Sequence, residues 1–113
     1  MQIRNRATVG GNLGTASPAA DLNPVLWALD AQVRLVATEG QRDVPVAEFL
    51  TGYRETARRT CELIHSVWIP PRADGERRAF RKVGTRRAQA ISKVVFAGWA
   101  RLGEGAAIEE IRL

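Results

Sequence analysis

The sequence predicts an α+β fold, and three observations carry that prediction. Residues 33–37, 63–69 and 94–100 alternate their side chains with a period of two, the pattern of strands. Turn residues at 39–41 and 103–105 follow two of these runs, so neighbouring strands should pair antiparallel. One stretch, residues 21–30, combines helical spacing with a start signal. A chain of 113 residues with 45% hydrophobic side chains has room for one small domain or a piece of a larger one.

Taken in order, residues 1–6 are polar and hold no predicted helix or strand. Residues 8–21 set Gly10, Gly11 and Gly14 among short hydroxyl and amide side chains and are expected to form a loop. Glycine permits positive φ and the close approach of another molecule, so the amides of Gly10 and Gly11 suit an anion. Asn12, Thr15 and Ser17 add donors, and Asp21 adds an acceptor for hydroxyls. With a helix N-terminus pointing back at it, such a loop suits a nucleotide diphosphate. Read by itself, it is more readily an ordinary turn. No Lys-Ser or Lys-Thr follows the glycines and the spacing is not G-x-G-x-x-G, which disfavours a Walker-type NTPase and a Rossmann dinucleotide site.

Asp21 or Asn23 should cap a helix with Pro24 in its first turn and Val25, Leu26, Ala28 and Leu29 on its apolar side. Trp27 falls between these, as core packing or as a cover for the loop. Residues 33–38 and 42–46 form a hairpin, with Pro45 placing the second strand at an edge or ending it. Residues 47–50 resemble a short helical turn, and residues 53–60 a polar connector.

Residues 62–69 give the clearest strand. Leu63, His65, Val67 and Ile69 share one face and Ile64, Ser66 and Trp68 the other, bulky enough to imply cover on both sides or a ligand on one. His65 there is more readily a packed or surface residue than a proton carrier. Residues 78–83 should pair antiparallel with that strand, and residues 86–92 should make one or two helical turns. Residues 94–101 and 107–113 form a terminal hairpin with no sheet to join.

A net charge of +5 and a pI near 10.6 raise the question of nucleic acid. Arg77, Arg78, Arg81, Lys82, Arg86, Arg87 and Lys93 crowd one part of the chain, but only Phe80 is interleaved with them, a poor basis for stacking bases. The cluster reads as a solvated basic surface, or as a contact for an acidic cofactor or partner subunit. Cys61 is a lone cysteine, so the sequence holds no internal disulfide, and a reducing, cytoplasmic setting is the simplest expectation. No apolar run approaches the roughly 18 residues of a membrane span, and residues 1–6 lack the apolar core of a signal peptide.

Four stretches, in this order, resemble the FAD-binding domain of the molybdenum hydroxylases (the molybdopterin dehydrogenase family). They are residues 8–24; Phe49 with Gly52, Tyr53, Arg54 and Thr56; residues 62–70; and residues 80–94. Residues 82–94 most resemble the small subunit of bacterial xanthine dehydrogenases, where flavin and iron–sulfur domains share a chain. The resemblance implies that Thr8, Val9, Gly10, Gly11 and Asn12 hold the flavin nucleotide and that Asp21 accepts a hydrogen bond from it. It implies further that Ile64 and Lys82 touch FAD, with Thr15, Ser17 and Arg86 as second choices. That assignment is chemically sensible, since FAD presents a pyrophosphate, hydroxyls and flat rings.

In such enzymes electrons pass from molybdopterin through [2Fe-2S] clusters to FAD and then to an acceptor such as NAD. The implied partners are therefore a molybdopterin-binding large subunit and an iron–sulfur domain or subunit. Neither centre is expected in this chain, since one cysteine cannot supply the four thiolates of a cluster.

The family pattern also has an earlier Gly-rich segment, in an N-terminal subdomain, with no counterpart here. The chain is thus expected to be an internal or truncated piece. Residues 1–90 would be the second subdomain of a two-subdomain FAD-binding domain, an antiparallel sheet with flanking helices, and residues 91–113 the first hairpin of the following C-terminal domain. Two alternatives stand beside this: a non-enzymatic basic α+β module that binds nucleic acid or a partner protein, and a flavin site completed by another polypeptide.

Overall fold

The computed structural model describes residues 5–86 and 90–113. Helix α1 spans Val9–Thr15 and α2 Leu22–Ala28; the strands are β1 (Gln32–Ala37), β2 (Gly40–Pro45), β3 (Leu50–Gly52), β4 (Glu55–Thr56), β5 (Leu63–Trp68), β6 (Glu76–Gly84), β7 (Ser92–Leu102) and β8 (Ile108–Arg112). A single turn, α3 (Val46–Phe49), follows β2 directly. The strands make three antiparallel sheets, ordered β2-β1-β5, β3-β4 and β6-β7-β8, which is the α+β architecture the sequence predicts.

The Gly-rich stretch, expected as a loop, is largely helix. Thr8 has extended backbone and caps α1 by accepting the Gly11 amide on its hydroxyl at 2.9 Å, while the Asn12 amide bonds to the Thr8 carbonyl at 3.0 Å. Leu13 is fully buried beneath it, and this tertiary contact outweighs the poor helix propensity of three glycines in seven residues. None of the three has positive φ, so the fold uses their lack of a side chain rather than their conformational freedom. Ala16, at φ 45°, ends the helix. Asn5 and Arg6, just upstream, have helical backbone where none was expected.

Helix α2 sits between the two larger sheets. Leu26 joins the main core, where Leu13 of α1, Val33 and Leu35 of β1, and Val46 and Phe49 of α3 are buried together. On its other side Ala28, with Val25 and Leu29, packs on Ala97 and Trp99 of β7. Trp27, left between these faces, is 47% exposed and does not enter either core.

The β1–β2 hairpin and the helical turn near residue 47 form as expected, with Gln32 opposite Pro45 and Ala37 opposite Gly40. The connector after Gly52 is more ordered than predicted. Its residues 55–56 pair with β3, and Glu62 closes it from below: buried, its carboxylate accepts two bonds from Arg42 (2.7 and 2.9 Å) and one from the Arg59 amide (2.7 Å).

Three further expectations are corrected. Cover on both sides, one of the two readings of strand β5, is not found: β5 is an edge strand with Leu63 73% exposed, and a register shift against β1 leaves His65 unpaired between Ile64 and Ser66. That bulge turns both Ile64 and Val67 toward the core, breaking the simple alternation. Strand β6 pairs with β7 instead of β5, so the terminal hairpin does have a sheet to join. The helical turns expected at 86–92 fall partly on residues 87–89, outside the described residues; Ala90 and Ile91 are not helical, and Ser92 begins β7. The expected division at residue 90 falls between β6 and β7, which pair from Glu76–Arg101 to Gly84–Ser92.

Candidate functional site

The N-terminal end of α1 opens on a cleft of about 420 Å³ lined by Thr8, Val9, Gly10, Leu22, Ile64 and His65 among others. Gly11's amide is engaged by Thr8, but Val9 and Gly10 stand at the open end, where a helix offers no carbonyl for their amides. Ile64 packs across the glycines of α1. A Cβ added to Gly10 would lie 4.0 Å from its Cγ2, and one added to Gly14 3.6 Å from its Cδ1. The β5 bulge is what aims Ile64 this way. Asn12, one turn in, has its Oδ1 buried with no hydrogen-bond partner.

Asp21 precedes Leu22 of the cleft wall. It stands at the N-cap of α2 but makes no side-chain cap, contrary to expectation, because its carboxylate is engaged elsewhere. Oδ2 accepts from Lys82 Nζ at 2.5 Å, and Oδ1 accepts from the Ser92 hydroxyl. Partial burial is the largest single influence and pushes the Asp21 carboxyl up. The hydrogen bonds from Lys82 and Ser92 and the ammonium's charge together outweigh it, and the carboxyl stays below its ordinary value. Two residues that the sequence flagged separately are thus one pair, contributed by α2 and β6.

The second-choice donors are less available. Thr15 donates to the Gly11 carbonyl at 2.7 Å within α1, and the Ser17 hydroxyl accepts the Ala19 amide at 3.3 Å. Ser17 also lines a separate, larger cleft of about 550 Å³, walled by Trp27, Tyr53 and Phe96. Arg86 lies in the bend after β6. His65 is exposed on the cleft rim, with Nδ1 3.2 Å from Ser66 Oγ, and Cys61 is free and exposed.

The β6 members of the basic cluster divide between the two faces of their sheet, and Arg87 lies outside the described residues. Arg78 and Lys82 are on the side facing α2, paired with Glu76 and Asp21, whereas Arg77 and Arg81 alternate onto the opposite side. Sequence reasoning missed Ser92 entirely, and nothing local signals it. Its place beside Lys82 depends on a register shift between Val83 and Gly84.

Residues 1–72 match the family described as the FAD binding domain in molybdopterin dehydrogenase. The chain belongs to that family. It is 46% identical over 94 residues to the xanthine dehydrogenase/oxidase of Gallus gallus, covering 82% of this chain and 7% of that protein. Among solved structures it is similar to a carbon monoxide dehydrogenase from Hydrogenophaga pseudoflava, with TM-score 0.90, 27% identity, and coverage of 98% of this chain and 38% of that one. Quinoline 2-oxidoreductase from Pseudomonas putida 86 is similar over 99% of this chain and 38% of its own, with TM-score 0.86 and 26% identity. The chain therefore spans well under half the length of the proteins it matches.

The residues present fit part of an FAD site. Open helix amides and the Lys82 ammonium suit phosphate oxygens. Ile64 and Leu22 offer apolar contact, and the unpartnered Asn12 Oδ1 is an acceptor awaiting a donor. Asp21 has one donor on each oxygen, and a carboxylate has about four lone-pair sites, so it can still accept from a hydroxyl.

Proposed function

We propose that this chain supplies one side of an FAD site in an oxidoreductase of the molybdenum hydroxylase type, similar to xanthine dehydrogenase. The observation that carries the reading is that the α1 end and Ile64 share one cleft, and that Leu22 of its wall directly follows Asp21, which is paired with Lys82. Thr8 holds α1 in place by engaging the Gly11 amide, Val9 and Gly10 present their amides to the nucleotide, Gly11 lets it approach closely, and Asn12 accepts a hydrogen bond. Ile64 covers a flat ring, Asp21 accepts from a hydroxyl, and Lys82 neutralises phosphate charge.

When bound, FAD supplies the chemistry of accepting and passing on electrons. In the complete enzyme these come from molybdopterin and [2Fe-2S] centres on a large subunit and an iron–sulfur domain or subunit, and leave for an acceptor such as NAD. The setting proposed is cytoplasmic; no helix among the described residues is long and apolar enough to cross a membrane.

The test is FAD binding, followed by quenching of flavin fluorescence, in this chain and in the longer flavoprotein containing it. Asp21→Ala and Lys82→Ala should each weaken FAD by about tenfold, the scale of a charge-assisted hydrogen bond, without loss of the folded circular-dichroism spectrum. Unchanged FAD affinity in both variants would remove the assignment.

A further inference from the structure

We propose that Ser92 is a positioning residue of this site: by holding one oxygen of Asp21 it fixes the other oxygen, and with it the Lys82 ammonium, in place. The inference rests on the reading of the site given above, but its core concerns contacts within this chain.

Three elements meet at Asp21. It begins α2, Lys82 comes from β6, and Ser92 opens β7, so residues 61 and 71 positions away in sequence share one carboxylate. A carboxylate held at one oxygen rotates about its last torsion; held at both, it presents a fixed acceptor. Lysine has a long, flexible stem and its ammonium is a point charge, so its place is set by what it binds. Asp21 is partly exposed, and the Lys82 pair alone would be a loose surface contact. The second donor makes it a network.

The backbone is arranged to deliver that donor. Lys82 is opposite Val95 and Val83 opposite Val94, so regular pairing would put Lys93 opposite Gly84, on the same sheet face as Lys82. A second ammonium would then compete for Asp21. The register shift between Val83 and Gly84 skips Lys93 and brings Ser92 opposite Gly84 instead, onto the Lys82 face. A neutral donor replaces a like charge.

The test reads Lys82 directly. In the ¹⁵N-labelled chain at low temperature, the Lys82 ammonium should give a slowly exchanging signal that persists in Ser92→Thr and is lost in Ser92→Ala and Asp21→Ala. Ser92→Ala should also raise the Kd for FAD by about fivefold, and should add nothing in the Asp21→Ala background, as expected of residues acting through one group. An unchanged Lys82 signal in Ser92→Ala overturns the proposal. So does an equal effect of Ser92→Ala with and without Asp21. If the signal behaves as expected while Asp21→Ala and Lys82→Ala leave FAD affinity unchanged, the positioning role stands and the flavin reading falls.

Discussion

Glu62 is buried in a polar turn and still ionised, because its partners are donors. Hydrogen bonds from Arg42, then the Arg59 amide, hold its carboxyl down to about 2 from an ordinary 4.5, against the opposing effect of burial. A carboxyl depressed in the folded state adds stability above its unfolded pKa, and that stability is lost as pH falls through the folded one. Melting temperature should therefore drop between about pH 4.5 and 2, and Glu62→Gln should flatten the curve in that window. Thermal melts at stepped pH would show it; an unchanged slope in the variant would mean other carboxylates carry the acid sensitivity. At this scale the sequence pointed to Asp21 by its type and to Lys82 through the family resemblance, without showing that the two pair. It was silent on Ser92 and on the Arg42–Glu62 contact, which depend on register and on chain reversal 20 residues apart.

Element α1 sets helix formation against access. Three glycines in a seven-residue helix cost roughly 0.5–1 kcal/mol each relative to alanine, offset by the Thr8 cap and the burial of Leu13. Gly14 has room for a Cβ at ordinary contact distance from Ile64, so Gly14→Ala should stabilise the chain by about 0.5–1 kcal/mol with FAD affinity unchanged. Gly10→Ala meets as little resistance in the fold but places its methyl in the cleft; it should keep the fold at least as stable and weaken FAD. Urea titrations paired with flavin binding separate the two, and equal flavin affinity in both variants would deny α1 its place at the nucleotide. The β1–β2 hairpin was legible because its pattern and turn are local. Helix α1 and the β5 bulge were not: each is decided by packing on a core that the local pattern does not contain.

The whole molecule is two packed units sharing α2, and one large surface lies open. Strand β7 turns Ala97 and Trp99 toward α2, so Val94 and Phe96, with Val83 of β6 and Ile111 of β8, fall by alternation on the opposite face. Val94 is 61% and Ile111 54% exposed, and neighbouring Ile108 and Leu113 are more so. Adjacent apolar side chains on a pleated face form a continuous patch, unlike the isolated apolar residues any surface carries. Arg77 and Arg81 lie on the same face and give it a positive charge that opposes, without preventing, contact between copies. The 113-residue chain should therefore bind a hydrophobic dye and sediment in a concentration-dependent way. The double substitution Val94→Lys with Ile111→Lys should abolish both effects while changing stability by no more than about 0.5 kcal/mol per site, because neither side chain is part of a core. A wild-type chain that stays monomeric at every concentration and binds no dye would show that this face is covered in solution.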